Sequence, residues 1–168
     1  LEFLCSDLRG NVNALEFLLQ NSPLTVFAHN VETVRRLTPR VRDPRATFDQ
    51  SLLILKKAKE FRPDIITKTS IMLGLGETEE DLLEAFEELR EANVDLLTLG
   101  QYLSPGSRYH PVVSFPSPET FDSLAQIAKE MGFKAIASGP MVRSSYRAES
   151  LVSAAKGEAF DVELKVVS

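Results

Sequence analysis

The residues of this chain that could do chemistry collect at the ends of five apolar runs, at 1–5, 24–28, 65–73, 94–99 and 133–137. The first run ends in Cys5-Ser6-Asp7 and the second in His29-Asn30-Val31-Glu32. The third is followed by Gly74-Leu75-Gly76-Glu77 and the fourth by Gly100-Gln101-Tyr102. The fifth leads into Ser138-Gly139-Pro140 and then Arg143-Ser144-Ser145-Tyr146. Polar strand ends are common because loops are polar. That does not account for Lys68 and Ser70, which lie inside the third run and share one face of a strand at period two. Burying a lysine alone is costly, so Lys68 is expected to reach a polar cavity or a partner.

Other single features carry two readings each. Gly74-Leu75-Gly76 is shaped like a phosphate loop, but it lacks a Walker lysine and the full dinucleotide pattern, so a plain strand–helix turn competes with it. His29 could be a base or a ligand, or a hydrogen-bonded structural residue. Cys5 reads as a small core residue rather than a nucleophile, because no Cys–His order is visible. Arg35, Arg36, Arg40, Arg42 and Arg45 crowd into one stretch of an acidic chain. They make either a solvated face or a docking patch for an acidic partner. The serines of 143–146 could serve in capping or turns.

The segments between the runs read as helices that position these ends. The pattern at 13–19 places Leu15, Leu18 and Leu19 at helical spacing. From 47 to 61, Phe48, Leu52, Leu55 and Ala58 recur at helical steps, with Lys56, Lys57 and Lys59 near the end, where the helix dipole favours cations. At 78–92 Thr78 caps, Glu79, Glu80 and Asp81 fill the first turn, and Leu82, Phe86 and Leu89 form the stripe. Ser117-Pro118-Glu119 is a helix start, and Gly132 ends that helix after Met131. The resulting β-α-β-α-β-α-β-α-β order predicts an α/β fold with parallel strands and helices outside. Sites in such folds form at the carboxyl ends of the strands.

Composition narrows the classes further. The 168 residues carry 19 Lys+Arg against 24 Asp+Glu, a net charge of −5, which argues against a general nucleic-acid binder. No run is long and apolar enough for a membrane span. One cysteine cannot build a disulfide framework, a cysteine zinc site or a cysteine-ligated cluster. The chain opens on Leu1-Glu2-Phe3, inside a strand-like run, and is expected to be a piece of a longer protein.

Five longer runs match a known pattern. They are Phe27-Ala28-His29-Asn30-Val31-Glu32-Thr33-Val34, Val41-Arg42-Asp43-Pro44-Arg45-Ala46, Thr67-Lys68-Thr69-Ser70-Ile71-Met72-Leu73-Gly74-Leu75-Gly76-Glu77-Thr78, Leu97-Thr98-Leu99-Gly100-Gln101-Tyr102 and Ser138-Gly139-Pro140-Met141-Val142-Arg143-Ser144-Ser145-Tyr146. With Asp7-Leu8-Arg9-Gly10 they closely resemble the lipoyl synthase family of radical S-adenosylmethionine (SAM) enzymes, over residues 1–149. The resemblance implies the C-terminal part of a partial (β/α)6 TIM-like barrel, 1–149, with a tail at 150–168. It implies SAM and two 4Fe–4S clusters in the full-length enzyme. It also implies insertion of two sulfur atoms at carbons 6 and 8 of an octanoyl chain held on a carrier protein. The implied partner is an octanoylated lipoyl carrier domain, from a 2-oxoacid dehydrogenase E2 subunit or the glycine cleavage H protein. The implied compartment is the bacterial cytoplasm, the mitochondrial matrix or a plastid.

Site roles follow the matching positions. Asn30 and Glu32, counted with His29, resemble SAM contacts from the second strand end. Ser70-x-Met72-x-Gly74-x-x-Glu77 resembles the superfamily's G-x-I-x-G-x-x-E segment, Gln101 and Tyr102 the next rim position, and Lys68 a polar contact to cofactor or substrate. Arg143 and Ser144 are the implied catalytic pair. The resemblance implies that the 143–146 run supplies a serine oxygen ligand to an auxiliary 4Fe–4S cluster, at Ser144 in preference to Ser145; oxygen is a more exchangeable ligand on iron than thiolate.

Two departures stand out. The family's two cysteine triplets are absent, so this chain alone is expected to be inactive. Tyr109 stands where the family usually has His, which leaves the 106–110 loop without an assigned role. The competing readings are a non-catalytic remnant that only docks a carrier domain, and an unrelated half-barrel enzyme holding phosphate near Thr78. An open half-barrel exposes a strand edge, so the isolated chain is expected to be marginally stable or oligomeric.

Overall fold

The computed structural model describes residues 1–145 and 148–157. Five strands form a single sheet in the order β1 (Glu2–Leu4), β2 (Val26–Ala28), β3 (Ile66–Leu73), β4 (Leu96–Gln101) and β5 (Ala135–Ser138). All neighbouring pairs are parallel, so spatial order follows chain order, as in a part of a TIM-like barrel. The crossovers carry α1 (Val12–Gln20), α2 (Thr38–Val41), α3 (Phe48–Phe61), α4 (Glu79–Glu91) and α5 (Pro118–Glu130). Among the described residues the sheet stays open, with β1 and β5 at its edges. Leu1 and Leu4 are exposed at the first edge. No helix among the described residues is long and apolar enough to cross a membrane.

The helices begin where their caps are. Thr47 accepts from Gln50 N at the start of α3, and Ser117 from Thr120 N ahead of Pro118 in α5. At α4, Thr78 and Asp81 form a reciprocal capping box. Their apolar stripes meet one face of the sheet. Leu55, Ala58, Leu82, Phe86, Leu89 and Phe121 pack with Phe27, Ile71, Leu73, Leu97, Leu99 and Ile136 in the main core. Phe86 and Phe133 add an edge-to-face pair with centroids 6.0 Å apart.

The other face is covered differently. Val26, Ile66, Leu96, Ala135 and Ala137 pack with Val142 and with Leu151 of α6 (Ala148–Ala155). This last helix thus lies on the concave side, against the side chains nearest the strand starts. It runs across residue 149, where the barrel portion was expected to end. The short α2 and the single turn Leu8–Gly10 had no helical periodicity to announce them. Tyr146, and the tail beyond Gly157, lie outside the described residues.

The amino-terminal end of the sheet is tied by one buried carboxylate. Asp95 takes Lys59 Nζ at 2.6 Å, Lys134 Nζ at 2.8 Å and the backbone N–H of Thr67 at 2.9 Å. Burial alone would raise its pKa, but the two ammonium groups and the Thr67 N–H outweigh this and hold it below the usual value. It joins α3 to the starts of β3, β4 and β5.

Candidate functional site

The candidate site is the carboxyl-end part of the concave face, beyond the strand starts that α6 covers. Register places Lys68 opposite Ala28 on one side and Leu96 on the other, and Ser70 opposite Thr98. Lys68 and Ser70 therefore do share the concave face, with Lys68 only 1% exposed. The partner expected for the lysine is Glu2: Nζ donates to Oε1 at 2.8 Å, from β3 across small Ala28 to edge strand β1. The other oxygen of Glu2 is buried without a partner among the described residues.

The end of β2 is irregular in a specific way. Ala28 pairs with Lys68, and the next bridge joins Glu32 to Ile71. The second strand therefore advances one residue more than the third, which is a β-bulge. Glu32 absorbs it at φ +67°, a conformation that non-glycine residues adopt at a cost. The bulge is pinned to β3 by four hydrogen bonds. His29 N donates to Lys68 O and Glu32 N to Ser70 O, each at 3.0 Å, and Met72 N donates to Glu32 O at 2.8 Å. Val31 N donates to the Thr69 hydroxyl at 3.1 Å. Val31 points into the main core, so alternation sends Asn30 the other way. Asn30 Oδ1 is buried and has no partner among the described residues. Burial raises the Glu32 pKa, while the Asn30 side chain and the Arg42 charge oppose that rise.

The other expected contacts stand behind this face and shape it. His29 is buried on the helix side of the sheet, with Nδ1 3.0 Å from Cys5 O and Nε2 2.9 Å from Ser51 Oγ. Neither ring nitrogen is left for a cofactor. Glu77 folds back so that its two oxygens accept from Gly74 N at 2.6 Å and Leu75 N at 2.9 Å. The chain's own carboxylate thus fills the amide cradle that a phosphate would need, and the first turn of α4 is acidic as well. Gln101 Nε2 donates to the carbonyls of Leu73, Tyr102 and Ser114, and Tyr102 OH donates to His110 O. These bonds fasten the 102–116 loop to the rim. Gly74, at φ +97°, lets that loop approach: a Cβ there would lie 2.4 Å from both Gln101 Nε2 and Ser114 O.

The loop after β5 reaches the same rim. Gly100 admits it, since a Cβ there would stand 2.2 Å from Val142 O. Arg143 Nη1 donates to Gln101 O at 3.3 Å, with Ser144 half-buried beside it. Most of the basic run is paired within the chain, much of it at the surface. Arg35 pairs with Asp49 and Glu88, Arg36 with Asp81, Arg45 with Asp43, and Arg42 donates to Ser51 Oγ.

Among the described residues no group of three or more His, Cys, Asp or Glu could hold a metal ion. Cys5 is buried, and desolvation followed by the Asp7 charge pushes its thiol pKa up, away from thiolate. These residues therefore do not fit an iron–sulfur cluster by themselves. They do fit a polar organic ligand, with an orphaned acceptor at Asn30 and a carboxylate at Glu32. Sequence reasoning singled out neither Ser51 nor Thr69. The pattern of apolar and polar positions carries no signal for a bulge or for the hydroxyls that brace it.

The chain matches the Radical SAM superfamily over residues 1–89. It is 53% identical over 149 residues to the lipoyl synthase of Thermus thermophilus, covering 89% of this chain and 46% of that protein. It is 54% identical over 151 residues to the chloroplastic lipoyl synthase of Arabidopsis thaliana, covering 90% of this chain and 38% of that one. With the apicoplast lipoyl synthase of Toxoplasma gondii it shares 55% over 148 residues, 88% of this chain and 27% of the relative. The chain spans less than half the length of these curated relatives and matches their C-terminal portion. An all-parallel sheet with a polar, bulged rim and a superfamily match over more than half the sequence agree, and the chain belongs to the radical SAM superfamily.

Proposed function

We propose that this chain is the C-terminal barrel portion of a lipoyl synthase, which inserts sulfur at carbons 6 and 8 of an octanoyl chain on a lipoyl carrier domain. The observation that carries the reading is the β2 bulge, which offers the unpartnered Asn30 oxygen beside Glu32 on the concave face. Identities of 53–55% to lipoyl synthases support the choice of reaction within the superfamily.

In this reading Asn30 and Glu32 hold SAM through its hydrogen-bond donors, and Lys68 and Ser70 line the same face. Gly74, Glu77, Gln101 and Tyr102 shape the wall behind them by fastening the rim loop, and His29 supports the bulge from the helix side. When bound, SAM with an iron–sulfur cluster supplies the means to abstract hydrogen from an unactivated acyl chain. The thiolates for clusters come from outside these residues; the described residues add one oxygen, at Ser144, next to the Arg143 charge. The carrier domain is that of a 2-oxoacid dehydrogenase E2 subunit or the glycine cleavage H protein. The compartment is cytoplasm, mitochondrial matrix or plastid, matching the bacterial, mitochondrial and plastid-type relatives.

The test uses the full-length protein with its clusters reconstituted and an octanoylated H protein as substrate. Mass spectrometry should detect the lipoyl product, and its absence overturns the reading. Ser144→Ala should still cleave SAM but lose sulfur insertion; unchanged insertion would remove Ser144 from the site.

A further inference from the structure

His29 ends a hydrogen-bond chain whose direction is fixed. Its Nδ1 faces the Cys5 carbonyl at 3.0 Å and must donate, so in the neutral imidazole Nε2 accepts. It accepts from the Ser51 hydroxyl at 2.9 Å, and the Ser51 oxygen in turn accepts from Arg42 Nη1 at 2.8 Å. The order is Arg42 to Ser51 to His29 to the end of β1. Every link is buried except the half-exposed Arg42. The chain works only with a neutral imidazole. Burial and the Arg42 charge favour that form, against the Cys5 carbonyl and Asp7.

The next three residues are the bulge. Its backbone is bonded to β3, and the imidazole of His29 ties it to Cys5 after β1 and to Ser51 on α3. We propose that Arg42 and Ser51 are positioning residues, acting through His29 to hold Asn30 and Glu32 in their ligand-facing geometry. Without the Ser51 hydroxyl, the imidazole keeps one anchor and can rotate or change tautomer. Glu32, held at a costly φ, then has an easier way to relax. The proposal rests on the reading that Asn30 and Glu32 contact SAM.

The experiment measures SAM binding calorimetrically in the full-length protein, together with KM and kcat for SAM cleavage. Ser51→Ala should raise Kd and KM by about tenfold and leave kcat within about twofold, the loss of one buried hydrogen bond. Arg42→Met should behave like Ser51→Ala, and Arg42→Lys, which keeps a charged donor, should recover most of the affinity. Arg42 is half-exposed, so these two variants test the proposal even if Ser51→Ala folds poorly. If Ser51→Ala and Arg42→Met bind SAM normally while Asn30→Ala binds weakly, the positioning role is wrong and the site stands. If Asn30→Ala also binds normally, the site itself is misassigned and the proposal falls with it. Equal loss in Arg42→Lys and Arg42→Met overturns the hydrogen-bond chain.

Discussion

The two ends of the sheet solve opposite problems. At the amino-terminal end the buried carboxylate of Asp95 has two ammonium partners and a backbone donor, and α6 covers the apolar strand starts. At the carboxyl end a bulge leaves Glu32 in a costly conformation and the Asn30 oxygen without a partner. The Asp95 carboxylate is saturated, whereas the bulge keeps unspent polar capacity. A protein can leave a polar rim under-satisfied only where the rest of the fold holds it in place, and here Phe27, Val31 and Ile71 around the bulge are packed into the main core.

Substitutions at each end should therefore differ in kind. Asp95→Ala leaves Lys59 and the Thr67 N–H buried without their carboxylate and should cost about 3–5 kcal/mol in urea unfolding. A loss below about 1 kcal/mol would mean that the cluster is not the clamp described. Gly74→Val should cost roughly 2–3 kcal/mol, through positive φ and a clash with the Ser114 carbonyl, and should expose the 102–116 loop to proteolysis. Its proteolysis should match wild type only if the loop is not anchored there.

Glu32→Gly should move in the opposite sense. Relief of the left-handed residue raises stability by about 1 kcal/mol while SAM affinity falls. A variant that lost both would show that Glu32 is a structural residue like Asp95.

The two ends should also separate on acidification, the smallest of these effects. His29 has a pKa lowered from 6.5, so its contribution is present above pH 6.5 and is lost as pH falls toward its folded value. Asp95 has a pKa lowered from 3.8, so its contribution is present above that value and is lost as pH falls through the folded one. Stability measured against pH should decline in two stages. His29→Gln should remove the upper stage and Asp95→Asn the lower.

Much of the frame could be read locally. Thr47, Thr78 and Ser117 mark helix starts because a side-chain oxygen three residues ahead of an N–H needs no tertiary help. The parallel α/β order followed from alternating periods, and a partner for Lys68 followed from the cost of burying its charge. The identity of that partner did not, because Glu2 lies 66 positions away. The phosphate-loop reading of Gly74-Leu75-Gly76 turned on where one side chain folds, and Glu77 took the amides.

The sequence by itself determined the alternation of strands and helices, the caps, and the collection of polar residues at the strand ends, since each depends on neighbours within a few positions. Only the tertiary structure decided which face each of those residues serves. His29 went to the helix side to meet Ser51, 22 positions on, and Asn30 to the concave side. Alternation from Phe27 orders those two residues once the core face is chosen, and the one-residue offset between β2 and β3 is what then sets Glu32 opposite Ile71. An offset is a property of two paired strands, and neither strand's own sequence contains it.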